Sequence, residues 1–237
     1  MKPVILGNGI LGKELSKQTG WDILSRSVDG LDLRDITTWA HLLLPYDTII
    51  NCIAHTKTYD DNKKLHWDIN YKAVVELVDY CNLQGKKLVH VSTDYVYANS
   101  IGTPDENGVP VHQPTYYAYT KLLADSYIEL KSKDYLILRG SHKPTPFPYE
   151  GAWIDHLGNF DYINVISDLY IKLIKKNATG LFNVGTSNKS MYHLAQETKP
   201  NVLPIIKKDS RIPLDVSMNV SKLNSFINND KHSNNSL

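Results

Sequence analysis

Val4-Ile5-Leu6-Gly7-Asn8-Gly9-Ile10-Leu11-Gly12 places three glycines directly after a short apolar run. A strand followed at once by Gly-x-Gly-x-x-Gly and a helix is the arrangement that a dinucleotide-binding fold requires. One glycine permits a tight turn, the second admits a diphosphate, and the third lets the helix pack closely. The helix N-terminus would supply N–H donors to the diphosphate. A glycine turn without a ligand is the alternative, which the strand before and the helix after disfavour. We therefore predict a dinucleotide site at residues 7–12.

Short apolar strands alternate with helical stretches along the first 140 residues. We predict strands at residues 4–6, 22–24, 48–53, 88–92 and 135–138, and helices near 10–19, 35–44, 65–82 and 116–131. Strands separated by helices of this length are typical of right-handed βαβ units in a parallel sheet. The predicted fold class is α/β, a Rossmann-type doubly wound parallel sheet.

After Gly140 the regular alternation stops. The run His142-Lys143-Pro144-Thr145-Pro146-Phe147-Pro148 excludes a regular helix or a central strand because of its prolines. We predict a small C-terminal substrate lobe with a short apolar piece at 163–165, a helix near 167–176 and a strand at 180–184. The expected division is a nucleotide-binding domain at 1–142, an intertwined substrate lobe at 143–227, and a disordered tail at 228–237.

Composition argues against several classes of function. The 237 residues are enough for one sizeable core. A formal net charge of +1 gives no reason to expect nucleic acid or an anionic membrane as a partner. The apolar run Pro3–Leu6 is too short for a signal peptide or membrane span, so we expect a cytoplasmic protein. Two cysteines and nine histidines, none at metal-ligand spacing, predict no metal site.

Tyr117 and Lys121 stand four residues apart in the predicted helix at 116–131, so their side chains share one helix face. A nearby ammonium favours the phenolate and lowers the pKa of tyrosine from its usual value of about 10, which makes the phenol usable for proton exchange. Thr93 follows the strand at 88–92, and its hydroxyl could hold a substrate oxygen there; Ser92 is a weaker candidate. These residues predict a proton-transfer site.

The end of the second strand bears on which dinucleotide is expected. An acidic residue there binds the ribose 2′-hydroxyl, whereas an arginine accommodates a 2′-phosphate. The sequence places Ser25 and Arg26 at this point, so NADP(H) is favoured and NAD(H) stays possible. A solvated surface charge is the alternative for Arg26. Asp32, which precedes Leu33, either faces the adenine or caps the next helix.

Further segments carry a resemblance to a known family. They are Asn51-Cys52-Ile53-Ala54-His55-Thr56, Ser92-Thr93-Asp94-Tyr95-Val96-Tyr97, the Tyr117 to Lys121 spacing, Leu138-Arg139, and Arg211-Ile212-Pro213 through Lys222. With the glycine loop before them, these segments resemble the extended short-chain dehydrogenase/reductase superfamily. Within it, the chain is most similar to dTDP-4-dehydrorhamnose reductases. The resemblance extends from about residue 3 to residue 227.

The resemblance implies hydride transfer from NAD(P)H to the 4-keto group of a nucleotide-activated sugar, and a possible homodimer. It implies that Tyr117 protonates the developing alkoxide, that Thr93 hydrogen-bonds the same oxygen, and that Lys121 binds the nicotinamide ribose. The residues implied in cofactor binding are Gly7, Asn8, Gly9, Ile10, Leu11, Gly12, Ser25, Arg26, Asp32, Leu33, Cys52, Ile53, Ala54, Ser92, Tyr117 and Lys121. Those implied in substrate binding are Thr93, Asp94, Tyr95, Ser141 and His142.

Departures from the family pattern bear mainly on the substrate. The glycine loop is one residue shorter than usual, and the segment Arg139-Gly140-Ser141-His142-Lys143-Pro144 replaces the common Arg-x-Ser-Trp-Val-Tyr. The connection from there to Ile163 is also shorter. Tyr95 stands where related dehydratases have glutamate, which favours simple reduction. The alternatives are a sugar-nucleotide epimerase, with His142 as an additional acid–base group, and a non-catalytic regulatory subunit like that of methionine adenosyltransferase.

Overall fold

The structure is a computed structural model that describes residues 1–98, 100–108, 110 and 115–228. The strands are β1 Pro3–Leu6, β2 Asp22–Leu24, β3 Thr48–Asn51, β4 Lys87–Val91, β5 Tyr135–Arg139, β6 His142–Lys143, β7 Gly151–Trp153, β8 Leu157–Gly158, β9 Asp161–Tyr162, β10 Gly180–Asn183, β11 Lys189–Ser190 and β12 Leu203–Ile205. The α-helices are α1 Ile10–Thr19, α2 Arg26–Asp29, α3 Lys63–His66, α4 Ala73–Gln84, α5 Tyr116–Lys131, α6 Ile163–Lys175, α7 Met191–Gln196 and α8 Ser221–Asn228.

A six-stranded parallel sheet in the order β10-β5-β4-β3-β1-β2 forms the centre of the molecule. The direction of winding reverses at β1, which has β2 on one side and β3 on the other. In open α/β sheets, ligands bind beyond the carboxyl ends of the strands at such a switch point. The predicted doubly wound Rossmann-type sheet is confirmed, and the glycine loop after β1 lies at its switch point.

The strand side chains alternate between two apolar layers, one on each face of the sheet. One layer joins Val4, Ile49 and Leu88 to α4 and α5. The other joins the neighbouring positions Ile5 and Ile50 to α1 and α6. Because both faces are covered by helices, the central strands are buried on both sides, as their continuous apolar sequences require.

Several boundaries differ from those predicted. The helix predicted at 35–44 is two short 3₁₀ turns, Ile36–Thr38 and Ala40–Leu43, separated by buried Trp39. The helix predicted near 65–82 is α3 and α4 joined by a π-helical segment at Trp67–Lys72. The apolar piece predicted at 163–165 is the first turn of α6.

The largest correction concerns the residues after 142. We predicted that the helix near 167–176 and the strand at 180–184 belong to the lobe, but β10 pairs with β5 as the edge of the main sheet, and α6 covers one face. A separate apolar cluster, centred on Phe147, Phe160 and Met191, forms the core of the C-terminal region. From residue 229 onward, the predicted tail lies outside the described residues. Within the described ranges, no helix is long and apolar enough to span a membrane.

Candidate active site

A cleft of about 510 Å³ opens at the carboxyl ends of β1, β3 and β4. All the predicted cofactor-binding residues line this cleft, as do Thr93, Ser141 and His142 from the predicted catalytic and substrate sets. Asp94 and Tyr95 do not line it. Sequence reasoning missed Leu31, Arg34, Thr56, Ile69, Val91 and Gly140, which complete the lining. A usable signal existed for the four that lie next to a predicted residue in the sequence, which are Leu31, Arg34, Val91 and Gly140.

The glycine loop fits a dinucleotide diphosphate. Gly7 adopts a left-handed backbone conformation, with φ 99°, which favours glycine. At Gly12, a β-carbon would overlap the carbonyl oxygen of Gly7, so this glycine permits the close packing of α1 on the loop. A β-carbon at Gly9 would meet no atom within 4 Å. No side chain caps α1, so its first N–H groups are available to an anion in the cleft.

Tyr117 lies in the first turn of α5, whose N-terminus is capped by the Thr115 hydroxyl, which accepts a hydrogen bond from Ala118 N at 3.3 Å. The side chain is half-buried at the rim of the cleft. Burial raises the pKa of Tyr117 to about 12, although a hydrogen bond from Thr93 opposes the rise. The predicted lowering of this pKa by Lys121 is therefore absent from the structure. A phenol of this pKa is protonated at neutral pH and can donate a proton.

Lys121 lies one turn after Tyr117 and is almost completely buried, at 1% exposure. Its Nζ lies 2.8 Å from His90 Nε2 on β4 and donates to the Val91 carbonyl oxygen at 2.7 Å. Burial lowers the pKa of Lys121 to about 8. The amine is thus oriented towards β4, which explains why it does not lower the pKa of Tyr117.

Thr93 and Ser92 have different environments. Thr93 caps the 3₁₀ turn Asp94–Tyr97, accepting from Tyr95 N at 3.2 Å, and it lines the cleft. The Ser92 hydroxyl instead donates to Asp125 Oδ2 at 2.9 Å. Both hydroxyls have an acceptor, since Thr93 Oγ1 donates to Asp94 Oδ1 at 3.3 Å. The bond from Ser92 to the Asp125 carboxylate is shorter, so the Thr93 hydroxyl is the one more easily redirected to a substrate oxygen.

An unpredicted ion pair supports the helix that carries Tyr117 and Lys121. Asp125 continues their four-residue spacing by one more turn, and its Oδ2 accepts from Arg139 Nε at 2.9 Å. Arg139 also donates to the Tyr97 hydroxyl at 2.7 Å. Asp125 is fully buried and Arg139 is 3% exposed. The spacing of four residues from Tyr117 through Lys121 to Asp125 was visible in the sequence, but Arg139 lies on another element, β5.

Two arginines and an aspartate form the other end of the cleft. Arg34 Nε donates to Asp32 Oδ1 at 2.8 Å, and Arg26 Nε lies 3.8 Å from Asp32 Oδ2. The hydrogen bond from Arg34 holds the pKa of Asp32 down, at about 2. The capping alternative for Asp32 is not seen, because Asp35 caps the following 3₁₀ turn. Arg34, which was not predicted, therefore adds a second positive charge to the predicted Arg26 and Asp32 at this end of the cleft.

Polar and aromatic groups lie beyond Thr93 on the side facing the C-terminal region. Asp94 is fully buried, and burial raises its pKa to about 6 against the opposing charge of Lys143. The Tyr95 hydroxyl lies 2.8 Å from that of Tyr59. Burial lowers the pKa of His142 to about 4, so its imidazole is neutral at pH 7. Neutral His142 is thus available as a hydrogen-bonding group but carries no charge for a phosphate.

Metal binding has no visible basis in the part of the chain that the structure describes. No three His, Cys, Asp or Glu side chains within those residues are grouped so that they could hold a metal ion. The two cysteines, Cys52 and Cys81, are free thiols, and burial raises the pKa of each to about 12.

Solved structures share the fold over nearly the whole chain. A hypothetical dTDP-4-dehydrorhamnose reductase from Sulfolobus tokodaii is 22% identical, with a TM-score of 0.81 over 96% of this chain and 95% of that one. The dTDP-4-dehydrorhamnose reductase from Bacillus anthracis, solved in complex with NADP, is 24% identical, with a TM-score of 0.81 over 94% and 91%. At these identities, the similarity establishes the fold.

Sequence relatives match shorter segments. A dTDP-4-dehydrorhamnose reductase from Mycobacterium tuberculosis is 31% identical over 105 residues, which are 42% of this chain and 34% of that protein. The spore coat polysaccharide biosynthesis protein SpsK of Bacillus subtilis is 29% identical over 140 residues, 56% of this chain and 50% of that protein. The chain therefore spans between a third and a half of the length of these curated relatives. The family described as RmlD substrate binding domain matches residues 1–142, and the chain belongs to this family.

Proposed function

We propose that this protein uses NAD(P)H to reduce the 4-keto group of a nucleotide-activated deoxy sugar, as the names of its relatives indicate for them. One observation carries the proposal: the hydroxyls of Thr93 and Tyr117 lie in the same cleft as the glycine loop. A dinucleotide diphosphate on that loop and a substrate oxygen at the two hydroxyls would occupy one continuous site. We also propose that residues of the C-terminal region hold the sugar nucleotide.

A bound nicotinamide dinucleotide supplies the hydride in this reaction. The protein supplies the proton and holds the oxygen on which negative charge develops. Tyr117, whose pKa burial raises to about 12, carries its proton at neutral pH. Its O–H donates to the substrate oxygen as that oxygen becomes an alkoxide, and the Thr93 hydroxyl donates to the same oxygen. Lys121 also lines the cleft, and we propose that it would hold a ribose hydroxyl of the cofactor.

For the cofactor we propose NADP(H) in preference to NAD(H). Arg26 and Arg34 both line the end of the cleft that follows β2. Arg26 is 75% exposed at its side chain, so it can turn towards a 2′-phosphate at little cost. Arg34 offsets the negative charge of Asp32, which would otherwise repel that phosphate. The two guanidinium groups therefore outweigh the single carboxylate.

The two alternatives have weaker support. An epimerase needs a further acid–base group near the sugar, and His142 is the candidate from the sequence. With a pKa of about 4, neutral His142 would be a poor proton donor at neutral pH. A non-catalytic regulatory subunit would not require the Thr93 and Tyr117 hydroxyls to share the cofactor cleft. The arrangement of these groups favours the reductase.

Cofactor oxidation tests the proposal directly. Purified protein would be mixed with NADPH or NADH and dTDP-4-keto-6-deoxyglucose, with and without a 3,5-epimerase, while absorbance at 340 nm is followed. We expect oxidation that requires both the keto sugar and the protein. Tight cofactor binding without oxidation under all these conditions would contradict the reductase and support the regulatory alternative. Product with an inverted centre but no net oxidation would support the epimerase.

A further inference from the structure

A line of buried hydrogen bonds runs behind Lys121. Ile53 N donates to Asn51 Oδ1 at 3.0 Å, Asn51 Nδ2 lies 3.2 Å from His90 Nδ1, and His90 Nε2 lies 2.8 Å from Lys121 Nζ. Lys121 Nζ in turn donates to the Val91 carbonyl oxygen at 2.7 Å. Asn51 and His90 are completely buried. Water therefore does not compete with these bonds, and each proton has a defined place.

The direction of these bonds follows from the first of them. The Ile53 amide can only donate, so the atom of Asn51 that it meets is the carbonyl oxygen, and the amide nitrogen faces His90. That nitrogen donates, so His90 Nδ1 accepts. Complete burial holds the pKa of His90 well below its usual value, so the ring is neutral. A neutral imidazole has one N–H, and here the N–H is on Nε2.

The N–H of His90 then points at the nitrogen of Lys121. An ammonium group has three donors and no acceptor, whereas an uncharged amine has a lone pair. An ammonium would therefore oppose one N–H to another across 2.8 Å. An amine accepts from His90 and donates to the Val91 carbonyl, which satisfies both contacts.

We propose that Asn51 and His90 are positioning residues that favour the uncharged amine of Lys121, so that Lys121 can gain and lose a proton instead of remaining a fixed cation. The inference deepens the proposed function and rests on it for its catalytic meaning. From the sequence, we expected Lys121 to act as an ammonium beside Tyr117. Here the protein fold itself disfavours that charge before any ligand binds.

The other groups around Lys121 are consistent with a balance between the two forms. Asp125 on the same helix favours the ammonium, but its Oδ2 already accepts from Arg139 and Ser92. Cys52, after β3, is an uncharged thiol because burial raises its pKa to about 12. Tyr117 is also uncharged. Burial lowers the pKa of Lys121 to about 8 although Asp125 favours the cation. The N–H of His90, 2.8 Å from Lys121 Nζ, also opposes the cation.

Titration of the unaltered protein tests the first part of the proposal. Lysine labelled with ¹³C at Cε would be incorporated, and the Lys121 signal would be assigned by its absence from Lys121→Met. We expect a midpoint close to pH 8. A midpoint at the ordinary lysine value of about 10.4 would overturn the proposal. This measurement needs no turnover, so it stands even if the reductase assay fails.

Two variants test the roles of Asn51 and His90. In Asn51→Asp, a carboxylate can accept from both Ile53 N and His90 Nδ1, which moves the imidazole proton to Nδ1 and leaves Nε2 to accept from an ammonium. In His90→Gln, the amide can turn its oxygen towards Lys121. Both should raise the Lys121 midpoint by about one pH unit or more, which is a tenfold change in its protonation equilibrium. The pH dependence of NADPH affinity should move in the same direction.

His66→Gln is the matched control. His66 is also fully buried, and its ring lies 6.4 Å from that of Tyr117, but its nitrogens face Asp60 and Asn70. This variant should leave the Lys121 midpoint unchanged. If His90→Gln lowers stability while the Lys121 midpoint stays at the wild-type value, His90 contributes only to packing and the proposal fails. If Asn51→Asp does not fold, His90→Gln and the wild-type titration still decide the question.

Discussion

Arg139, the last residue of β5, donates from Nε to Oδ2 of Asp125 in α5 across 2.9 Å, and both side chains are buried. Asp125 lies one turn after Lys121 and two turns after Tyr117. The pair therefore joins the end of a central strand to the helix face that carries the candidate catalytic groups. Because an ion pair in a low-dielectric interior is sensitive to small changes in distance, it also limits how α5 can rotate.

Breaking this pair should strongly destabilise the protein. Arg139→Met leaves the buried Asp125 carboxylate without its cation, which costs about 3–5 kcal/mol of unfolding free energy. Chemical denaturation would measure the loss, and the double variant Arg139→Met/Asp125→Leu should recover much of it. Lys172→Met, which breaks the exposed pair with Asp168, should change stability by about 1 kcal/mol or less. Equal effects of the two single variants would contradict the structural role of Arg139.

Removing the Tyr117 hydroxyl should abolish proton donation but not cofactor binding. In the reductase assay, we expect Tyr117→Phe to lower kcat by about 10²–10⁴-fold. Affinity for NADPH, followed by fluorescence titration, should change little, because the glycine loop is untouched. Tyr116→Phe provides the control, since Tyr116 is 38% exposed and does not line the cleft. Turnover that survives in Tyr117→Phe would exclude Tyr117 as the proton donor.

Gly12 and Gly9 should respond differently to the same substitution. Gly12→Ala places a β-carbon onto the Gly7 carbonyl oxygen, and overpacking of this kind costs about 1–3 kcal/mol or more. Gly9→Ala meets no neighbour, so thermal unfolding should be nearly unaffected. Its methyl group should instead weaken cofactor binding, because it occupies space in the cleft. An unfolding temperature of Gly12→Ala equal to that of the wild type would contradict the predicted overpacking and show that the loop shifts to accommodate the methyl group.

The arginines at the far end of the cleft should decide between the two dinucleotides. The variant Arg26→Ala/Arg34→Ala should weaken NADPH binding by about 10–100-fold relative to NADH, since a hydrogen bond to a charged group contributes about 1.5–3 kcal/mol. Comparison of the two dissociation constants would measure the change. Lys13→Ala, on the same helix as Gly12 but outside the lining, should leave the ratio unchanged. An unchanged ratio in the double variant would refute the proposed preference.

Asp94 should make the protein less stable as pH rises. Its folded pKa of about 6 exceeds the usual 3.8, so the folded state holds the proton more tightly than the unfolded state. The contribution of Asp94 to the unfolding free energy is therefore fully present below pH 3.8 and is lost as pH rises through 6, by about 3 kcal/mol in total. Asp94→Asn should remove this dependence, whereas Asp168→Asn at an exposed site should preserve it. Denaturation at pH 4.5 and 7.5 would compare the variants.

Much of the sheet could be predicted because its signals are local. Val4, Ile49 and Leu88 lie in short apolar runs bounded by glycine, proline or polar residues, and these runs became β1, β3 and β4. The capping alternative for Asp32 is not seen, because another carboxylate, Asp35, lies three residues later and caps the 3₁₀ turn. Local competition of this kind cannot be resolved from residue types alone.

The position of β10 shows a second limit. The strand follows a proline-rich segment, so the chain order indicated a separate lobe, although its apolar residues Leu181 and Phe182 suit a buried sheet. In the structure, β10 pairs in parallel with the edge of β5, and this pairing places it in the main sheet. Which of two apolar surfaces a strand will cover depends on the assembled sheet, and the sequence near the strand does not contain that information.

The sequence by itself determined the chemistry that is available: a glycine loop for a diphosphate, and Thr93, Tyr117 and Lys121 for a proton. These depend on residue type and on spacing along one strand or helix, which are local properties. Only the tertiary structure decided the environment of these groups, because burial shifts the pKa values of Tyr117 and Lys121 and because His90 meets Lys121 from another element, β4. Burial and contacts with another strand arise only when the chain has folded, and neither can be read from a spacing of four residues.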